Sequence, residues 1–403
     1  MVLAGNEPTG GPGMTTVSDV GATAPVAIAP ARARRDHRGS PIPTFGMITT
    51  RFKELRKRRG LMIALVLVNI GIPTIFLVVR LIAHAVAPKS YGSAGGYDIY
   101  TNLVAGVMYI FGFIVAATLG CTAGSIDLTE GMFRHLVVTG RSRLALYLAR
   151  IPAGLAIVLP LVAIGFAIVC IVCVSAAPTT LNYQGVNVPA GLSLSGLENW
   201  AGQHPDEVVC NFGYNGPIPN IAQCGNGPGG GAVIIKGSGP GPAQATPAQV
   251  KATAILIAEQ DYSDYKTHFR FPPNSLMVKS GLWLELEAII GFVVGLGLGS
   301  LLGQRTIAVI LMIVLELVLT PIVSTHIIPH LINLERAVVG LATAHLEPGG
   351  LPVALGGGGG GGGPNVGKSL LVPESTTVAV CVILAWLVGW TAIGAWRMMT
   401  RDA

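Results

Sequence analysis

Charge is what this sequence has least of. Only 11% of its 403 residues are Asp, Glu, Lys or Arg, against about 25% in soluble globular proteins. So few charged side chains cannot cover a water-exposed surface, which excludes an ordinary cytosolic enzyme. A disordered chain is excluded too, because it needs low hydrophobicity with high charge. Cysteine is equally sparse: six residues cannot staple a chain of this length into a disulfide-built secreted scaffold. Four of them, Cys121, Cys170, Cys173 and Cys381, lie in apolar runs and read as small buried hydrophobes. Metal and catalytic spacings are missing as well. His326, His330 and His345 fit neither H-E-x-x-H nor another zinc pattern, and no Ser/His/Asp or Cys/His set can be justified. No catalytic, cofactor or metal residue is therefore assigned.

What the chain does have is hydrophobicity in long blocks, 51% overall with a mean hydropathy of +0.61. A bilayer core of about 30 Å takes about 20 mostly apolar residues to cross. Six segments qualify: Leu61 to Ala83, about Tyr100 to Gly124, about Leu148 to Ala176, Leu282 to Leu302, Thr306 to Ile328 and Thr376 to Trp396. The run from Arg51 to Arg59 immediately before the first of these is the strongest topogenic signal, and it places the N-terminus in the cytoplasm. Arg134, Arg141, Arg143, Arg150, Arg305, Arg397 and Arg401 then all fall on that same side. The net charge of +6 is thus a topology signal and carries no argument for nucleic acid. No short apolar signal-peptide core precedes Leu61. Phe52 to Arg59 reads either as a basic amphipathic helix on the inner leaflet or as topogenic anchors alone.

Two outer regions are long. Between Pro178 and Lys279 the chain is rich in turns but carries one helix-like run, Ala248 to Tyr265. Cys210 and Cys224 lie in its polar stretch, where a disulfide fits an extracytoplasmic location. From Pro329 to Ser375, Leu331, Leu334, Val338 and Leu341 recur at helical spacing, which predicts an interfacial or re-entrant helix ahead of eight glycines, 356–363.

Several motifs need weighing. Residues 362–369 match G-x-x-x-x-G-K-[ST] in form, ending at Gly367-Lys368-Ser369. A phosphate loop needs a strand before it and a helix after it, whereas polyglycine precedes this one and Pro373 ends any following helix. It reads as a chance match. Glu316 lies midway along the fifth segment, where a carboxylate is costly; it reads as part of a transport path or as a structural hydrogen bond to a neighbouring helix. With no second acid at that depth, a proton relay is not expected. Glu285 and Glu287 are placed at the outer mouth of the fourth segment as interfacial anchors, and Arg80 is expected to snorkel outward. Gly291, Gly295 and Gly299 form a doubled G-x-x-x-G, expected as a packing face within the bundle.

The connection after the second segment is the most informative. Asp127 and Glu130-Gly131 lead, Leu128, Phe133, Leu136 and Val137 give an approximate apolar face, and Arg134, Arg141 and Arg143 close it. Such a helix lies on the inner surface and presents its polar side to a cytosolic partner. Here the chain resembles the ABC-2 type transporter permeases, through Glu130-Gly131, Leu136 and Ser142-Arg143 together with the topology over residues 46–403. It departs from that family's pattern at Met132, where Thr is usual, in lacking proline near Gly140, and in having Arg150 where a Lys is usual.

The resemblance implies an all-α polytopic membrane protein with six transmembrane helices in the ABC-2 (type V exporter-like) arrangement, with an irregular extracytoplasmic insertion. The parts are a disordered cytoplasmic leader (1–45), a basic amphipathic connecting segment (46–60), helices one to three (61–176) with a coupling segment at 125–146, and an extracytoplasmic loop domain (177–280). Helices four and five (281–328), an extracytoplasmic or re-entrant segment with the polyglycine linker (329–375), and helix six with a cytoplasmic tail (376–403) complete it. It further implies a multi-pass protein of the plasma (inner) membrane, both termini cytoplasmic, that exports without an ATPase site of its own. Its partners would be an ATP-binding cassette subunit, which binds ATP and Mg, a second permease copy or paralogue, and membrane lipid. Asp127, Glu130, Gly131, Phe133, Arg134, Arg141 and Arg143 would form the ATPase-coupling segment. Ion-coupled secondary transport and a non-transport assembly or receptor-like protein are the alternatives.

Overall fold

A computed structural model describes residues 42–88, 90–129, 142–212, 221–223, 234–235, 243–244, 246–319, 332–349, 351 and 374–400. The apolar runs fold as helices because lipid offers the backbone no hydrogen-bond partner, so each segment must satisfy its own. Helix α1 (Phe45–Lys57) comes first and begins earlier than the predicted Phe52. Its buried residues Met47, Arg51 and Leu55 recur every four positions, so one stripe packs and the basic face stays outside. Helices α2 (Arg59–Val66) and α3 (Ile72–Val86) make one apolar rod joined by a π-helical turn, Leu67–Gly71. Helix α4 (Tyr97–Asn102) passes through a second π turn, Leu103–Met108, into α5 (Tyr109–Thr129). Helix α6 (Arg143–Leu148), N-capped by Ser142, leads into α7 (Arg150–Ser175).

The inserted domain follows α7. Strands β1 (Thr180–Tyr183) and β2 (Val186–Pro189) pair antiparallel, turning at Gln184 and Gly185, both with positive φ. Helices α8 (Leu194–Gln203), α9 (Pro205–Asn211) and α10 (Pro247–Tyr265) pack on one another, and α9 and α10 meet the hairpin at β2 and Tyr183. Helix α10 starts at a capping box between Thr246 and Gln249, a motif that satisfies two otherwise orphaned N–H groups. It covers the predicted Ala248–Tyr265 run. The small core holds Tyr183, Leu197, Val208, Phe212, Ile257 and Tyr265. The Tyr183 hydroxyl donates to Asp264 at 2.9 Å and that of Tyr265 to the Pro189 carbonyl at 2.5 Å. Short strands Ile221–Gln223, Ile234–Ile235 and Ala243–Gln244 pair antiparallel beside it in sequence. Gly96, at φ +99°, ties the insertion to the helices: a Cβ there would lie 2.8 Å from Pro178 Cδ, and its N–H donates to the Cys173 carbonyl at 2.8 Å.

Helix α11 (Asn274–Leu302) starts two turns before the predicted Leu282, directly after Pro273, and ends at Gly303 in the left-handed conformation. Helix α12 (Arg305–Ile313) runs into a third π turn, Val314–Leu319; the rest of the predicted fifth segment, 320–328, lies outside the described residues. The single helix expected after Leu331 is two short ones, α13 (Ile332–Ala337) and α14 (Val339–Leu346), because Val338 adopts an extended conformation between them. Helix α15 (Thr376–Thr400) closes the described chain.

Among the described residues, five helical rods are long and apolar enough to cross a membrane: Arg59–Val86, Tyr97–Ile126, Arg143–Ser175, Asn274–Leu302 and Thr376–Thr400. The chain is thus a mostly helical protein of the membrane-embedded type. Helix α11 is its axis, packing on α5, α7, α12 and α15. The contact with α5 is made by glycine on both sides. Gly291, Gly295 and Gly299 lie on Phe113, Ala117 and Cys121, while Gly120 and Gly124 lie on Phe292, Leu296 and Ser300. A Cβ at Gly295 would sit 2.6 Å from the Ala117 carbonyl oxygen, and one at Gly124 2.5 Å from that of Leu296. The doubled G-x-x-x-G is therefore an internal seam, as expected, and the backbones approach because no side chain intervenes. Ile75, Val79 and Ile82 on α3 and Leu384 and Val388 on α15 stay exposed, the outward apolar surface that suits lipid.

Candidate functional site

One group of buried polar residues gathers around the middle of α11. Starting α11 at Asn274 moves Glu287 to the middle of a 29-residue helix, roughly 20 Å from either end at 1.5 Å per residue. It is 2% exposed. Burial corrects the reading of Glu287 as an interfacial anchor, and its interaction with Glu316 corrects the reading that Glu316 has no second acid near it. The reason is local: Asn274 to Gly281 is too polar to score as a span but continues the same helix. Glu285, two residues away, is half-buried.

Glu316 sits in the third π turn and is 3% exposed. The Tyr109 hydroxyl, at the first residue of α5 after the second π turn, donates to its Oε1 at 2.8 Å. The Tyr109 ring stacks on Trp283 of α11 with centroids 5.1 Å apart and planes 7° off parallel. The Trp283 indole N–H in turn donates to the Thr343 carbonyl of α14 at 3.1 Å. Glu287, one turn along α11 from Trp283, lies in the electrostatic reach of Glu316 and of Glu347 at the end of α14, and the Thr343 hydroxyl lies within hydrogen-bonding reach. Among the described residues, Oε1 of Glu287 and Oε2 of Glu316 have no hydrogen-bond partner. A buried carboxylate at this depth costs about 3 kcal/mol even on insertion-based scales, so a packed group of them asks for a functional account.

The short helices bring α14 into this group. Val339 to Ala344 are all buried, and two indoles hold the pair: Trp283 from α11, and Trp386 of α15, which donates to the Ala337 carbonyl at 2.8 Å. Asn69 marks the remaining π turn; it is 1% exposed and donates to the Leu161 carbonyl of α7 at 2.7 Å. π turns are rare and recur at functional sites because they turn a residue out of its helical register. Three occur among the described residues, at or one residue before Asn69, Tyr109 and Glu316. The sequence flagged Glu316 alone; Tyr109, Trp283, Glu287, Thr343 and Asn69 were missed. Helix extent was the signal that would have found Glu287.

At the end of the bundle carrying α1, Arg150 is 2% exposed and donates to the Gly124 carbonyl at 3.2 Å, which Ser300 also reaches at 3.4 Å. Arg51 pairs with Glu54 at 2.7 Å, and both line a small crevice with Leu55, Ala123, Ile126 and Arg150. This hub joins α1, α5, α7 and α11 just before the proposed coupling segment. Of that segment, Asp127 lies on α5, and Arg143 opens α6 and donates to the Met399 carbonyl of α15 at 3.1 Å. Glu130, Gly131, Phe133, Arg134 and Arg141 lie outside the described residues, as do Gly367, Lys368 and Ser369. Arg80 donates to the Ser93 carbonyl at 2.8 Å. Cys210 is disulfide-bonded, whereas Cys121, Cys170, Cys173 and Cys381 are free; Cys224 lies outside the described residues. No group of three His, Cys, Asp or Glu with metal-holding geometry occurs among the described residues. No family model, curated protein or solved structure matches the chain.

Proposed function

We propose that this chain is the permease subunit of an ATP-binding cassette exporter in the plasma (inner) membrane, with both termini cytoplasmic. The observation that carries this reading is the seating of α1. An amphipathic helix leads directly into the first apolar rod, and its stripe of Met47, Arg51 and Leu55 docks at the start of α7, where Arg150 and Ser300 share the Gly124 carbonyl. A separate ATP-binding subunit pressing on residues 127–143 would act on that hub. The glycine seam would then carry α5 and α11 together, because two backbones in contact cannot slide without a collision. The short pair α13–α14, ahead of the last rod, is the further support for the ABC-2 arrangement of six helices. ATP and Mg belong to the partner, and this chain supplies the path.

The test is cellular export and complex ATPase activity in the Glu130→Ala/Arg143→Ala double variant. Loss of export with this subunit still inserted supports the reading. Unchanged export and unchanged ATPase activity overturn it.

A further inference from the structure

We propose that Glu287 and Glu316 form a proton-exchange site that holds one proton between two carboxyls at the middle of the bundle. The proposal goes beyond the exporter reading and needs only that the chain spans a membrane. Each residue is at least 97% buried, and each keeps one oxygen without a hydrogen-bond partner among the described residues. Water would satisfy such oxygens at a surface; among the described residues no polar group reaches these two. Two facing carboxylates in an apolar interior repel strongly, since the local dielectric does little to screen them. One proton removes that repulsion and supplies the donor that the open oxygens lack.

The groups around the pair leave the proton as the cheapest occupant. Glu287 faces Glu316, Glu347 and Thr343, and Glu316 faces Tyr109, which already donates its one proton to Oε1. The basic groups on the neighbouring short helices are Arg336 and His345, and His345 is paired with Glu374 at 3.6 Å. The charged groups of α7, α12 and α15 are Arg150, Arg305 and Arg397, all near the ends of their helices. A metal ion would need several ligands in a shell, and no such set of three occurs among the described residues. A proton needs one oxygen.

The exchange balances simply. A hydronium ion breaks one of its O–H bonds and leaves as water while one carboxylate gains an O–H bond, which changes the pair from two negative charges to one. Release reverses this. Transfer between the two breaks one O–H bond and forms another at constant charge. The π turn that carries Glu316 and the π turn that precedes Tyr109 give both residues a register that can shift without unfolding a helix. Loss of the proton pushes α11 from the Val314–Leu319 turn, so proton occupancy biases how the bundle closes.

The test uses the full chain in nanodiscs, without any ATP-binding subunit, so it can fail while the exporter reading stands, and the reverse. Infrared difference spectra across a pH titration should show a protonated-carboxyl C=O band that disappears at high pH. Glu287→Gln and Glu316→Gln should each abolish it, and Glu285→Gln should leave it. A band that survives in either of the first two variants, or that only Glu285→Gln removes, overturns the proposal. Wild-type protein gives a second reading that requires no variant. Dicyclohexylcarbodiimide, which attacks protonated carboxyls in apolar surroundings, should modify Glu287 or Glu316, with labelling falling as pH rises; absence of label at every pH overturns it.

Discussion

Gly124→Ala puts a single methyl group into the seam between α5 and α11. Its Cβ would lie 2.5 Å from the Leu296 carbonyl oxygen and 2.7 Å from the Ser300 nitrogen. Both are backbone atoms, so neither can rotate away, and relief requires the helices to part by about an ångström. A gap of that size forfeits about a quarter to a half of the dispersion well for each atom pair along the seam. Overpacking of this kind costs about 1–3 kcal/mol. The Gly124 carbonyl also accepts from Arg150 and Ser300, and weakening those bonds adds about 1 kcal/mol. Replacing a helical glycine by alanine returns about 1 kcal/mol. The net expectation is a loss of about 1–3 kcal/mol, which on the scale of soluble domains lowers Tm by about 2–10 °C. The assay is thermal aggregation of the detergent-purified chain, followed by size-exclusion fluorescence. Gly389→Ala on α15 is the matched control, because nothing lies within 4 Å of its added Cβ; its Tm should hold or rise. Equal behaviour of the two variants would refute the seam.

Two further outcomes concern the inserted domain. Non-reducing mass mapping should recover Cys210 in a disulfide-linked peptide with Cys224, as Cys210 is bonded; a free Cys210 thiol would contradict both the pairing and the extracytoplasmic location. Burial raises the Asp261 carboxyl above its ordinary range, Gln184 opposes this by donating to it, and Asp264 adds to the rise. A raised folded value stabilises fully below the unfolded carboxylate range of about 3.9 and is lost as pH rises through the folded value. Acidification through the raised carboxylate range should therefore recover the share of stability that charged Asp261 costs, and Asp261→Asn should remove that share; an identical pH dependence of Tm in both would refute it.

Much of this architecture was legible because bilayer thickness imposes a length on apolar segments. The first three rods and the last were found to within a few residues, and the glycine repeat of α11 pointed correctly to close packing. What stayed hidden depends on partners distant in sequence. Glu287 looked like an interfacial residue because hydropathy stops at Leu282, yet helical hydrogen bonding continues back to Asn274. Tyr109 and Trp283 were two aromatics among many until packing stacked them and brought Glu316 to the phenol. The π turns have no composition of their own, since Leu103–Met108 reads like any apolar helix. Val338 looked like one more apolar position at helical spacing, and only the fold makes it the break between α13 and α14.

The proposed exporter function requires an ATP-binding companion, and purification of the tagged chain from its own source membrane under mild detergent tests that directly. An ATP-binding subunit recovered in about equal amount, with ATPase activity that follows the complex, is the predicted result. Repeated recovery of the chain, intact and monodisperse, with no nucleotide-hydrolysing subunit would contradict it.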